Sequence, residues 1–241
     1  MKDSSRTPVI VSAARTPIGR FLGGLSSLSA PDLGAHAIRA AVARAGIDAS
    51  ALDEVIMGNV VQGGVGQAPA RQAAIKGGIP ATVPAFTVNK VCGSGLQAVM
   101  LAAQAIRAGD AQALVAGGME SMSGAPYYVY GMRNGVKFGT QSLVDGLIHD
   151  GLWCAFGQNH MGGYAEYTAK KAGITRQRQD EFSYQSHLKA VAAIEGGAFT
   201  AEIAPVEIPG KKGPTVVAVD ESRSEEHTSE LQSHHDLVCR L

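Results

Sequence analysis

Cys92 is the residue around which chemistry is most readily built. It lies between an apolar, β-rich run, Phe86 to Val91, and a helix-like stretch that opens on Gly93-Ser94-Gly95. In the first turn of a helix the backbone N–H groups lack carbonyl partners and the dipole presents its positive end, so a sulfur there is favoured in its charged, nucleophilic form. Gly93 and Gly95 leave room for a substrate carbonyl to approach backbone amides that stabilise an oxyanion. The competing reading is a small buried hydrophobe, the commoner fate of a free cysteine. The local pattern leaves both open. A dinucleotide-binding turn fits less well, because this segment lacks the Gly-x-Gly-x-x-Gly spacing that pyrophosphate binding uses.

The other cysteines are Cys154 and Cys239, and three thiols so widely spaced form neither a disulfide framework nor a zinc ribbon. No metal site is expected. His160 and Met161 are adjacent in a stretch without clear periodicity, where a loop histidine with a satisfied hydrogen bond and a plain methionine contact are the ordinary readings.

The elements that must position Cys92 follow from periodicity and punctuation. Val9 to Ala13 predicts a buried strand, closed by Arg15-Thr16-Pro17-Ile18-Gly19. Ser29 as N-cap, Pro31 in the first turn and Gly46 at the end bracket a helix. Val55 to Met57 reads as a strand, Pro69 to Lys76 as a short helix, and Phe86 to Val91 as the strand that delivers Cys92. The helix after Cys92, running to Arg107, has Leu96, Val99, Met100, Ala103 and Ile106 on one face and Ala98, Leu101, Ala102 and Ala105 on the other. That pattern predicts burial all round. Ala113 to Ala116 is a further strand. Beyond Met119 the texture becomes Met, Tyr, Gly and Ser up to about Gly163, as in a cap or excursion. Helices are predicted over Tyr164 to Lys171 and Arg176 to Glu195, the latter capped by Thr175. A hairpin is predicted from Val206 to Ile208 and Val216 to Val219.

Composition narrows the function classes. Twenty-one basic residues balance twenty-one acidic ones over 241 positions, without a long basic run, which argues against nucleic-acid and membrane-surface partners and for a metabolite-sized one. No stretch approaches the ~18 apolar residues of a membrane span, and Met1 to Pro8 lacks a signal-peptide apolar region, so the expected compartment is the cytoplasm.

The segment Asn89-Lys90-Val91-Cys92-Gly93-Ser94-Gly95-Leu96-Gln97-Ala98-Val99 resembles the active-site segment of thiolases. Three further segments agree in order and spacing: Arg15-Thr16-Pro17-Ile18-Gly19 with Gly23-Gly24, Gly66-Gln67-Ala68-Pro69-Ala70-Arg71-Gln72, and Ala116-Gly117-Gly118-Met119-Glu120-Ser121-Met122-Ser123. The resemblance covers residues 6–221. It implies the α/β thiolase fold, layered α/β/α/β/α, of which this chain would hold the N-terminal half and most of the loop domain. The boundaries implied are 1–120 for the half with the nucleophile and 121–222 for an incomplete CoA-binding cap.

Carried over residue by residue, Cys92 becomes the acyl-accepting nucleophile. His160-Met161-Gly162, preceded by Asp150-Gly151-Leu152 and Ala155-Phe156, is similar to the segment lining the pantetheine and acyl pocket of the acetoacetyl-CoA type. Ser186 falls near other CoA-contacting positions, although His187 stands where glutamine is frequent. The implied reaction is condensation of two acetyl-CoA to acetoacetyl-CoA and CoA, with no cofactor beyond the coenzyme A thioesters, by a homodimer or homotetramer. The rival readings are a 3-ketoacyl-CoA thiolase of fatty-acid degradation and a non-catalytic acyl-CoA-binding relative. The family's Asn-Glu-Ala, Gly-His-Pro and Cys-Gly-Gly type segments do not occur, so a further α/β unit of ~150 residues is expected to be missing and this chain alone to be inactive. Residues 223–241 read as translated sequencing adapter and not as native tail.

Overall fold

The computed structural model describes residues 6–211 and 213–221. The polar stretch 223–241, with His227, His234, His235 and Cys239, lies outside the described residues.

A first helix, α1 (Ala30–Ala45), starts where the sequence gives it a partner for its orphan amides. The Ser29 side chain accepts from the Asp32 N–H, the Asp32 side chain reaches back to the Ser29 N–H, and Gly46 ends the helix in the left-handed conformation. Strand β1 (Glu54–Gly58) follows, then α2 (Pro69–Lys76), β2 (Ala85–Val88), α3 (Ser94–Ala108) and β3 (Leu114–Gly118). The three strands form one parallel sheet in the order β2-β1-β3, with Val55 opposite Ala85 and Val115. Parallel strands buried on both faces read as continuous apolar runs, and β1 is such a run. Val55 and Met57 pack with Ile38, Ala70, Ala73, Ala74 and Ile79, the layer of α1 and α2. Ile56 faces the opposite way onto Ala98 and Ala102 of α3. The result is a helix–sheet–helix sandwich with β1 at its centre.

The middle of the chain carries short pairings: β4 (Tyr127–Tyr128) with β5 (Val144–Asp145), and β6 (Trp153–Cys154) with β7 (Asn159–His160). Two helices come next, α4 (Met161–Lys171) and α5 (Arg176–Glu195), the second capped by the Thr175 side chain as predicted. The antiparallel pair β8 (Val206–Ile208) and β9 (Thr215–Val217) completes the described chain. The segment that holds this pair returns to the N-terminal loop. Arg15 bridges Glu202 and Asp220, Arg44 donates to the carbonyls of Glu202 and Ile203, and the Glu221 carboxylate accepts from the amides of Arg20 and Gly24. Among the described residues no helix is long and apolar enough to cross a membrane.

Two expectations are corrected. Val9 to Ala13 forms no ladder, and Val9, Ile10 and Val11 are 74%, 81% and 71% exposed. A strand requires a neighbour at about 4.7–4.9 Å spacing with free amides, and no strand among the described residues pairs with this segment. It is tethered by side chains instead, from Arg6 to the Ala108 carbonyl and from Ser12 to the Ala41 carbonyl. Nor is α3 buried all round. Its small residues Ser94, Ala98 and Ala102 face the sheet, while Leu96, Val99 and Met100 are exposed, because the described chain supplies a layer on one side only.

Candidate active site at the carboxyl ends of the sheet

In open parallel sheets, ligands gather beyond the carboxyl ends of the strands, where loops diverge and helices begin. Here those ends are Gly58, Val88 and Gly118, and Cys92 follows β2 by four residues. The chain between β2 and α3 makes a tight elbow. Val91 takes φ 49°, a left-handed conformation that is rare for a β-branched residue. The elbow is held from within by Ser94, which is buried: its hydroxyl accepts from the Lys90 N–H at 2.8 Å and donates to the Val91 carbonyl at 2.6 Å. Lys90 also reaches forward to the Gln97 side chain at 2.9 Å. With the backbone so constrained, the Cys92 thiol is exposed at the mouth of α3 and is not packed as a core hydrophobe.

The first turn of α3 lies unusually close to the sheet. A Cβ on Gly58 would come within 2.6 Å of the Ser94 carbonyl carbon and 2.7 Å of the Gly95 nitrogen, and one on Gly118 within 3.3 Å of the Gly95 Cα. The glycines at the strand ends therefore set the depth at which the thiol sits. The Gly93 N–H donates to the Lys90 carbonyl at 3.1 Å, and Gly95 lies against Gly117 and Gly118. Both glycines thus have structural uses at the elbow beside the oxyanion role expected of them.

These observations meet an independent one. A family model described as "Thiolase, N-terminal domain" matches residues 8–234. The chain belongs to the thiolase family. Its relatives include the acetyl-CoA acetyltransferase of Cupriavidus necator, 57% identical over 214 residues that cover 88% of this chain and 54% of that protein. The Escherichia coli protein of the same name is 56% identical, covering 92% of this chain and 57% of the relative. A third, from Yarrowia lipolytica, is 50% identical over 88% of this chain and 53% of its own length. This thiolase chain thus spans about half the length of the curated relatives it matches.

The other residues expected at a thiolase site lie on the β6–β7 hairpin and the helices after it. His160 is the N-cap of α4, its Nδ1 accepting from the Gly162 N–H at 3.0 Å, which leaves Nε2 as the nitrogen available to a ligand. Met161 and Phe156 are exposed, Phe156 almost completely, and Ser186 lies on an exposed face of α5. Cys154 closes the hairpin turn, its Sγ taking hydrogen bonds from Gly157, Tyr164 and Phe156 that hold the thiol below its ordinary pKa. No hydrogen bond or ion pair among the described residues joins this group to the Cys92 elbow, and none brings a histidine or carboxylate to the Cys92 sulfur. No group of three or more His, Cys, Asp or Glu side chains that could hold a metal ion occurs among the described residues.

Two arrangements escaped the sequence reading. The first lies beneath the elbow. Glu120 accepts from the amides of Val60 and Val61 at 2.9 and 3.3 Å and from Asn59 Nδ2 at 2.7 Å. Burial raises its carboxyl pKa, and those hydrogen bonds, with one from the Ser121 amide, oppose the rise. Asn59 is 1% exposed, and its Oδ1 is buried without a hydrogen-bond partner. Asn59 directly follows the buried strand β1 and Glu120 lies two residues beyond β3, but nothing in the sequence shows that the two meet. The second is a relay over β4 and the following turn. Tyr128 donates to Asp150, whose other oxygen lies 2.6 Å from His149 Nδ1, and Tyr130 lies 3.3 Å from His149 Nε2. The bond to Asp150 pushes the Tyr128 pKa up to about 12. No periodicity marks that cluster in the sequence.

Proposed function

We propose that this chain presents the nucleophile of an acetyl-CoA C-acetyltransferase. The sulfur of Cys92 attacks the thioester carbonyl of one acetyl-CoA, the carbon–sulfur bond to coenzyme A breaks, and CoA leaves as its thiol. The acetyl group is then taken from Cys92 by the deprotonated α-carbon of a second acetyl-CoA, which gives acetoacetyl-CoA and returns the thiolate. The observation that carries this reading is the exposed thiol at the mouth of α3, presented by a positive-φ elbow at the carboxyl end of a parallel sheet. Deprotonation of the sulfur and of the α-carbon each needs a base within hydrogen-bond reach. Those bases fall outside the contacts described around Cys92.

His160, Met161, Phe156 and Ser186 are the proposed coenzyme A contacts, supported by the exposure of Phe156, Met161 and Ser186 and by a His160 ring whose Nδ1 alone is used in capping α4. Gly93 and Gly95 are proposed to leave room for the acyl oxygen. A homodimer or homotetramer is part of the same proposal, supported by the large apolar side chains of Tyr127, Tyr130, Met132 and Phe138, which are open to solvent.

Incubation of a chain completed to the length of the relatives with acetyl-CoA, followed by peptide mass mapping, tests the assignment. An acetyl group on Cys92, absent in Cys92→Ala, is expected. Acetylation of Cys154 with Cys92 free would refute it.

A further inference from the structure

We propose that Asn89 and Glu120 are positioning residues for Cys92, acting through the turn 59–61. The inference rests on the reading of Cys92 as nucleophile. It starts from a regularity of the sheet: Asn59 directly follows β1, Asn89 directly follows β2, and Glu120 lies two residues beyond β3. The three polar side chains converge on one small region beneath the elbow. Asn89 Oδ1 accepts from the Val91 N–H at 2.9 Å, while its Nδ2 faces the Val60 carbonyl at 3.4 Å. The other side of the Val60 residue is anchored, because its N–H donates to Glu120 Oε2 at 2.9 Å. Asn59 ties the same carboxylate to the sheet: its Nδ2 donates to Glu120 Oε1 at 2.7 Å and to the Met119 carbonyl at 3.2 Å, and its N–H donates to the Val88 carbonyl at 3.1 Å.

A continuous path of hydrogen bonds therefore runs from Glu120 through Val60 and Asn89 to the amide of Val91. Val91 is the strained residue, and strain of this kind persists only where the surroundings over-determine the backbone. Ser94 fixes the elbow from inside. Asn89 fixes it to the turn after β1, and so decides where the elbow stands relative to the sheet. Glu120 suits its place because amide donors converge on both its oxygens. A glutamine would set its own N–H group against one of them.

The test uses the 241-residue chain and iodoacetamide, with alkylation of Cys92 and Cys154 followed separately by peptide mass spectrometry over a range of pH. Cys154 is bonded only within its own hairpin and α4, and so reports on loss of fold. Asn89→Ala is expected to slow Cys92 about tenfold and to move its pH profile, because the sulfur loses its register with the helix mouth. The Cys154 rate should stay within about twofold. Asn89→Ser keeps an oxygen for the Val91 N–H but has no amide donor for the Val60 carbonyl, and is expected to slow Cys92 by about threefold. Glu120→Gln, one link further away, is expected to slow Cys92 by about threefold. Parent-like rates and pH profiles in both Asn89→Ala and Glu120→Gln overturn the proposal, as does a parent-like rate in Asn89→Ser. If Asn89→Ala unfolds, seen as a rise at Cys154, the serine variant decides: slowed Cys92 alkylation with Cys154 unchanged supports the proposal and parent-like reactivity overturns it. Acetyl-CoA labelling of a chain completed to the length of the relatives, run in parallel, separates the two readings. An unlabelled Cys92 in that completed chain, with alkylation still governed by Asn89, defeats the nucleophile assignment and supports the positioning.

Discussion

Arg15 and Asp220, 205 positions apart, meet through two side-by-side hydrogen bonds of 2.7 and 3.0 Å. The guanidinium also reaches Glu202 at 2.6 Å and stacks over Phe199, 5.1 Å from the ring centre. Asp220 is nearly buried and accepts in addition from the Ile18 N–H at 2.8 Å. The pair fastens the returning segment 199–221 onto the loop that the sequence marked with Arg15-Thr16-Pro17. Such two-pronged pairing is stronger than a surface ion pair and leaves a costly orphan when halved.

Asp220→Asn is therefore expected to lower stability by about 2–3 kcal/mol at neutral pH. The loss should depend on pH in a defined direction. The hydrogen bond from Arg15 holds the Asp220 carboxyl below its ordinary 3.8, outweighing desolvation. A carboxyl with a lower pKa when folded contributes fully above its unfolded value, and that contribution disappears as pH falls through the folded one. Urea unfolding at neutral pH and again below pH ~3 should show the parent and Asp220→Asn converging on acidification. A gap that persists or widens in acid contradicts the assignment.

A second expectation concerns Ala68. It stands at the N-cap of α2 with φ 47° and ψ 67°, and makes no side-chain cap bond. Alanine is poor on both counts, since its Cβ resists the left-handed region and it has no oxygen for the orphan amides. Asn tolerates that region and caps well. Ala68→Asn should raise stability by about 1 kcal/mol, read as a higher denaturation midpoint with an unchanged slope. A lower midpoint would show that the turn before α2 is held by something other than local preference.

What the sequence disclosed, and what it withheld, divides along physical lines. Thr175 with Arg176–Glu195, and Ser29 with Pro31 and Gly46, were legible because caps and stops act on neighbouring residues. The strands Val55–Met57 and Ala113–Ala116 were legible because each is a short apolar run without alternation. The Val9–Val11 run misled, because hydrophobicity says that a segment seeks cover and says nothing of whether a partner strand is at hand. The same limit applied to α3, whose Leu96 is 67% exposed. At the candidate site, Cys92, whose thiol is exposed there, was singled out from its position between strand and helix. Asn59 and Glu120 were not, since their significance lies in a convergence of strand ends that are about sixty residues apart in sequence.

Val91 supplies a third test, in which stability and reactivity should part. Its left-handed backbone is unfavourable for a β-branched side chain, and Val91→Gly removes that penalty of about 1–2 kcal/mol while adding chain freedom in the unfolded state. Net stability should change little. Alkylation of Cys92 should nevertheless slow, because the glycine also lets the elbow visit other conformations. If Val91→Gly leaves the Cys92 rate unchanged, the elbow is not what presents the thiol.

The last prediction ranks four glycines by what a methyl group would meet. At Gly58 the new Cβ would lie 2.6 and 2.7 Å from backbone atoms of Ser94 and Gly95, which cannot swing aside, so Gly58→Ala must push the mouth of α3 off the sheet. At Gly118 the nearest atom is the Gly95 Cα at 3.3 Å, a contact that a small backbone shift relieves. At Gly95 the neighbours are at 3.7 Å or more, and at Gly93 the one neighbour, the Lys90 oxygen, is at 3.4 Å. Overpacking costs about 1–3 kcal/mol when neighbours can adjust and more when they are backbone. The expected order of destabilisation is thus Gly58→Ala, then Gly118→Ala, with Gly93→Ala and Gly95→Ala mildest. Because Ser94 and Cys92 ride on the same turn, Gly58→Ala should also show the largest fall in Cys92 alkylation relative to Cys154. Thermal unfolding and thiol mapping on the four variants check both orders together. If Gly93→Ala or Gly95→Ala lost more stability than Gly58→Ala, close approach of α3 to the strand ends would not be what fixes the depth of the thiol.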